Sequence, residues 1–219
     1  MVGTRWHDYP EPWRYAFIEA WHAYQEGGYP IGAVVATLSG EVRYRGHNRM
    51  VRRGIERGTR LDHAEYHALR QIPIERAQEA RDYVLYSTLE PCPLCFGALV
   101  MSNVRHLAFA GVDPYAGSTA LAHATAFIRE RNLHIVGPSP ELGPVQAVLL
   151  ADYILRVFTV PLQRVEGIFA AYPGIRELVH TWSRSGRLAR AAQDRLDFGP
   201  IADAIAEAIG PQRGPGEGS

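Results

Sequence analysis

The order of apolar patterns between residues 11 and 158 constrains the fold of this chain more than any other feature. Trp13, Ala16, Phe17, Ala20, Trp21 and Tyr24 recur at i, i+3, i+4, i+7, i+8 and i+11, one apolar stripe of a helix. Pro12 suits its start and Gly27-Gly28 its end. Ile31 to Leu38 is a short β-branched run, read as a buried strand. Ser39-Gly40 turns it into a second strand, Glu41 to Gly46, so the pair forms a hairpin. Residues 47 to 62 are polar and loop-like. A helix is expected over His63 to Gln71 with Asp62 as N-cap, then a strand over Tyr83 to Ser87 and a helix over Cys92 to Ser102. A strand over His106 to Ala110, a helix near Ala120 to Arg131 and a short strand over His134 to Val136 follow. Pro144 then opens a helix to about Phe158. A hairpin followed by β-α alternation predicts an α/β fold, a three-layer α-β-α sandwich around a mixed five-stranded sheet.

After Phe158 the pattern changes to shorter helical segments. Ile175, Leu178, Val179 and Trp182 fit one stripe; Ile201, Ile205 and Ile209 fit another. The expected organisation is a domain over 1–158, a helical C-terminal extension over 159–209 and a Gly/Pro-rich disordered tail over 210–219.

Of 219 residues, 47% are apolar, enough to bury a sizeable core. The 23 basic residues, all Arg, balance 23 acidic ones. Zero net charge argues against a protein built mainly to grip a phosphate backbone. There is no apolar run of about 18 residues and no signal-peptide pattern at the N-terminus, which points to a cytoplasmic protein with no membrane partner. The only cysteines are Cys92 and Cys95. One Cys-x-x-Cys cannot staple a chain of this length, so metal or redox chemistry is the better reading.

His63-Ala64-Glu65 opens one helix, and Pro91-Cys92-Pro93-Leu94-Cys95 opens the next major one. Two thiolates at a helix start can converge on one ion, and His63 supplies a third ligand. Three protein ligands suit a catalytic zinc, which keeps a position for water, whereas a structural site closes with four. Residues two apart on a helix point about 200° apart. His63 and Glu65 therefore converge only on an ion lying over the helix N-terminus, where the helix dipole favours thiolate and hydroxide. Glu65 would carry the water's proton as general base and then as general acid. A redox pair of Cys92 and Cys95 leaves His63 and Glu65 unexplained. A structural zinc needs a fourth ligand, and His67, at i+4 from His63, reads as packing or as a hydrogen-bond partner. The spacing is not His-Glu-x-x-His, so a metalloprotease is a poor reading.

His-x-Glu with Pro-Cys-x-x-Cys is the zinc deaminase signature. With EGGYPIGAVVA, GHNR, LDHAEYHALRQ and LYSTLEPCPLCFGALVMSNVRHLAFA in this order, the stretch from about Trp13 to Phe158 resembles the cytidine deaminase-like superfamily. The similar branch holds tRNA adenosine deaminases, guanine deaminases and fungal cytosine deaminases. The resemblance implies a Zn2+ cofactor on His63, Cys92 and Cys95, with Glu65 as the catalytic proton shuttle. It implies substrate contacts from Asn48, the backbone N–H groups of Ala64 and Cys92, Ile31 and Tyr115; Asp113, two residues before Tyr115, could meet an exocyclic amine or cap its turn. It also implies a homodimer. The fungal enzymes close the pocket with a C-terminal Trp and an acidic residue, for which the stretch after Phe158 offers no clear counterpart.

The expected function is zinc-dependent hydrolytic deamination of a small nucleobase or nucleoside, with a zinc-bound hydroxide attacking the ring carbon and ammonia released. A tRNA-specific adenosine deaminase is the first alternative. Seven arginines between positions 43 and 60 could grip phosphates, but the C-terminal part is neutral. A zinc-stabilised binding module is the second alternative. The extension is expected to cover the pocket, form a dimer interface or select a larger substrate.

Overall fold

A computed structural model describes residues 5–51, 58–157 and 162–210. One five-stranded sheet runs in the order β2-β1-β3-β4-β5. Its strands are β1 (Gly32–Thr37), β2 (Val42–His47), β3 (Tyr83–Leu89), β4 (His106–Gly111) and β5 (His134–Val136). β1 pairs antiparallel with β2 and with β3, while β3, β4 and β5 are parallel. The sheet is mixed, as the hairpin followed by alternation predicts. This topology brings the start of β1 and the ends of β2, β3 and β4 to one edge of the sheet.

One face of the sheet carries α2 (Ala64–Leu69) and α3 (Pro93–Met101) over a core that includes Val35, Leu85, Leu99 and Leu107. The other carries α1 (Glu11–Gln25) and α5 (Leu142–Val157). α1 buries the stripe read from the sequence, Ala16, Phe17, Ala20, Trp21 and Tyr24, and Trp13 meets Tyr86 of β3 edge-on at 5.1 Å. The Tyr24 hydroxyl and Arg156 Nε (2.8 Å) both donate to the buried carboxylate of Asp152, tying α1 to α5.

The C-terminal helices α6 (Leu162–Ala171), α7 (Arg176–Ser185), α8 (Arg187–Gln193) and α9 (Phe198–Ile209) share one apolar cluster with α1 and α5. Phe169, Val179, Trp182, Leu188, Phe198 and Ile205 bury against it. Phe198 stacks on Phe17 at 5.7 Å, and Trp21 Nε1 donates to the Leu196 carbonyl at 2.7 Å. The expected tail lies, beyond Gly210, outside the described residues.

Three boundaries differ from the sequence reading. α2 begins at Ala64, with His63 rather than Asp62 at the N-cap, in an extended conformation. Asp62 instead accepts from the Thr59 backbone N–H, closing the preceding turn. The helix expected near Ala120 to Arg131 is a 3-10 turn, Thr119–His123, and a single α-helical turn, α4 (Ala126–Arg129). Neither piece buries a side chain, so no packing stabilises a longer helix. α5 starts two residues before Pro144, where Ser139 Oγ accepts from the Leu142 N–H at 3.1 Å.

Two glycines set the depth of the helix layers. A Cβ on Gly32 would stand 2.1 Å from the Ala16 carbonyl oxygen of α1. A Cβ on Gly46 would stand 2.4 Å from the Ala64 carbonyl oxygen and 2.7 Å from the Ala68 nitrogen of α2. Backbone atoms cannot swing aside as a side-chain tip can. Gly46→Ala is therefore expected to displace α2 at an overpacking cost of about 1–3 kcal/mol, lowering the thermal midpoint by roughly 2–12 °C. A midpoint unchanged from wild type in a calorimetric scan would contradict this contact.

Candidate active site

The sheet edge reached by the ends of β2, β3 and β4 holds a cavity of about 390 Å3. Ile31 lines it from the start of β1, and Asn48 from the residue after β2. His63 and Glu65 enter from the start of α2, Cys92 from the N-cap of α3, and Asp113 and Tyr115 from the loop after β4.

His63, Cys92 and Cys95 offer one nitrogen and two sulfurs within 4.8 Å of one another. Both sulfurs lie 3.4 Å from His63 Nδ1. The sequence explains this convergence. Pro93 and Pro91 fix Cys92 in an extended N-cap conformation, and Cys95 then returns to the same end of α3 one turn later. His63 is likewise a N-cap outside its helix, so its ring reaches over the helix end. Cys95 donates to Cys92, which is the main reason the Cys92 thiol is drawn down to about 4; burial opposes this and His63 assists. That bond and burial push the Cys95 thiol up, against loss of its proton. A soft cation between the sulfurs would displace that proton. One imidazole and two thiolates form a donor set suited to zinc. His67 is not in this set. Its Nε2 lies 3.1 Å from Asp62 Oδ1, the hydrogen-bonding role read for it.

Glu65 is buried at the cavity wall. Burial pushes its carboxyl above the usual carboxylate range, and the Ser87 hydroxyl approaches Oε1 at 3.4 Å. Asn48 is also buried. Its N–H donates to the Ile31 carbonyl at 3.0 Å, and its Oδ1 accepts from the Met50 N–H at 3.1 Å. The side chain therefore shapes the loop, and its amide nitrogen has no partner among the described residues. Ala64 is fully buried, and as first residue of α2 its N–H has no intrahelical partner. Asp113 caps its own turn, accepting from the N–H groups of Tyr115 (2.9 Å) and Ala116 (3.0 Å). Tyr115 is 69% exposed at the rim.

Several lining residues had no sequence signal aimed at the site. Glu90 Oε1 accepts from the Thr119 hydroxyl at 2.6 Å, bracing the loop after β4. Arg60 lines the cavity just ahead of His63. Arg164 and Ile168, one turn apart on α6, carry the extension into the cavity wall. Trp182 packs in the apolar cluster of the extension and does not reach the cavity. In the arginine-rich segment, Arg43 pairs with Glu41 at 3.0 Å and Arg45 lies over the Tyr15 ring at 3.2 Å. Arg52, Arg53 and Arg57 lie outside the described residues.

Residues 10–111 match the family described as the cytidine and deoxycytidylate deaminase zinc-binding region. The tRNA-specific adenosine deaminase of Bacillus subtilis (strain 168) is 39% identical over 106 residues, 47% of this chain and 61% of that protein. The cytosine deaminase of Candida albicans is 29% identical over 92 residues, 42% of this chain and 59% of that protein. The chain thus spans about 60% of the length of these curated relatives. A solved guanine deaminase from Nitrosomonas europaea superposes with a TM-score of 0.44 at 23% identity, covering 63% of this chain and 80% of that one. Among the described residues, no helix is long and apolar enough to cross a membrane. The ligand set His63, Cys92 and Cys95 lies inside the matched region, so residues 10–111 are similar to the cytidine and deoxycytidylate deaminase zinc-binding region in sequence and hold its metal-binding residue types together.

Proposed function

We propose that this protein is a hydrolytic deaminase of a small amino-heterocycle of the nucleobase or nucleoside class. The observation that carries this reading is the burial of the Glu65 carboxyl in the same cavity wall as His63 and Cys92. A buried carboxyl beside a ligand set that leaves room for water is suited to proton transfer rather than to a structural metal site.

His63, Cys92 and Cys95 would hold zinc, which when bound supplies Lewis-acid activation of water at neutral pH. Glu65 would take a proton from the attacking water and deliver it to the departing amino nitrogen. The ring carbon gains the water oxygen, the carbon–nitrogen bond breaks, and the nitrogen leaves as ammonia. The Asn48 amide nitrogen is free to donate to an acceptor on the ring. The N–H groups of Ala64 and Cys92, at two helix starts, would hold the ring edge. Ile31 and Leu89 give the cavity an apolar wall.

Two observations favour a small molecule. The cavity is closed on one side by α6 of the extension, and Asp113 and Glu90 are committed to bracing a loop rather than to a nucleic-acid groove. The 39% identity to a tRNA-specific adenosine deaminase favours the second reading, editing of a tRNA anticodon loop. A homodimer is proposed by resemblance; light scattering from a micromolar solution is expected to give twice the chain mass, and a monomer mass contradicts it.

Two experiments test the site. Wild type is expected to bind about one zinc per chain, and Cys92→Ser or Cys95→Ser less than about a tenth of that, by inductively coupled plasma mass spectrometry. Full zinc content in either variant contradicts the ligand set. Ammonia release by zinc-loaded protein is to be measured on cytosine, adenine, guanine, their nucleosides and an anticodon stem-loop. Glu65→Gln is expected to keep its zinc while losing at least about a hundredfold in rate, within the range of general acid–base catalysis. Full turnover in Glu65→Gln contradicts the mechanism, and turnover of the stem-loop alone moves the case to tRNA editing.

A further inference from the structure

Arg164 is a cation in the cavity wall with no acidic partner among the described residues. It belongs to α6 of the extension, and its guanidinium carbon lies 3.8 Å from the centroid of the Tyr115 ring. Its Nε is buried without a hydrogen-bond partner. Among the described residues, the buried arginine nitrogens left unpaired are those of Arg14, Arg49, Arg105 and Arg164, and of these Arg164 alone lines the cavity. The guanidinium carbon sits over the Tyr115 ring, a cation–π contact. It leaves the N–H donors, which lie in the guanidinium plane, unused.

The acidic groups of the same wall are engaged elsewhere. Glu90 accepts from the Thr119 N–H (3.2 Å) and hydroxyl (2.6 Å) and from the Asp113 N–H (3.4 Å). Asp113 accepts from the Tyr115 and Ala116 N–H groups. Neither forms an ion pair with Arg164 among the described residues. A guanidinium seated over an aromatic ring, with its N–H donors unpaired among the described residues, can take an oxyanion in bidentate fashion. The cavity, at about 390 Å3, falls in the range that holds a ligand of drug size and leaves room for a substituent beyond one ring.

We propose that Arg164 binds an anionic substituent, a phosphate or a carboxylate, carried by the amino-heterocycle, so that the substrate class is an acidic amino-heterocycle rather than a free base. This rests on the deaminase reading above. The ring end meets Glu65 and Asn48, and the acidic end meets the extension. The extension thereby acts as a specificity element.

The test uses matched neutral and anionic pairs: cytidine and cytidine 5′-monophosphate, guanosine and guanosine 5′-monophosphate, pterin and pterin-6-carboxylate. Binding to zinc-loaded Glu65→Gln protein is measured calorimetrically, with and without Arg164→Ala or Arg164→Lys. Ammonia release from wild type is followed on the same compounds. In at least one pair the anionic member is expected to bind at least about tenfold more tightly, the scale of one charge-assisted hydrogen bond. Arg164→Ala removes that preference and Arg164→Lys, which keeps the charge but not the fork, retains part of it. The neutral member changes by less than about threefold. The phosphate and carboxylate arms tell the two anions apart. Equal binding within every pair, no binding of any anionic member, or equal loss from both members in Arg164→Ala overturns the proposal. Tight anionic binding without ammonia release contradicts the deaminase reading and leaves Arg164's role standing. Ammonia release from neutral members alone does the reverse.

Discussion

The contact of α2 with β2 at Gly46 decides whether the ligand set can form. The Ala64 carbonyl and the Ala68 nitrogen lie where a side chain at position 46 would have to go. This approach seats the start of α2 over the sheet edge and aims His63 at the start of α3. Cys92 reaches the same place because β3 runs directly into it, antiparallel to β1 and next to parallel β4. Three ligands from two helix starts thus depend on one close backbone contact and one sheet topology.

The C-terminal helices are held by apolar burial rather than by surface charge. Burying side chains such as Val179, Trp182, Phe198 and Ile205 contributes about 1.5–3 kcal/mol each, as an upper bound on folding area. The Glu166–Arg176 pair, with side chains 57% and 47% exposed, is screened by solvent and adds little. The extension shares its core with α1 and α5, so α6 presents Arg164 and Ile168 to the cavity from a fixed frame. A wall built this way restricts what enters more than a mobile arm would.

Much of this arrangement was legible in the residues. The apolar stripe of α1, the hairpin and the strands of the sheet follow from periodicity, because buried faces impose it. His63, Cys92 and Cys95 come together as the spacing predicts, because both motifs open helices that start at the same end of the sheet. Helix ends were less legible: Asp62 is a good capping residue, but His63 takes the cap and Asp62 closes a turn. The segment from Ala120 to Arg131 has helical composition but buries nothing. Arg164 and Ile168 were not legible as wall residues, since an arginine and an isoleucine one turn apart fit any amphipathic helix. Their role depends on where α6 docks, and that is set by contacts distant in sequence, such as the Tyr172 hydroxyl just after α6 accepting from the Val112 N–H.

The central claim is that two thiolates and one imidazole of a single chain hold the metal and leave room for water. X-ray absorption at the zinc edge of the zinc-loaded protein tests it most directly. The account predicts two sulfur atoms at about 2.3 Å and lighter atoms, one of them His63 nitrogen, at about 2.0–2.1 Å. A shell without sulfur, or one of four sulfurs shared between two chains, would contradict it.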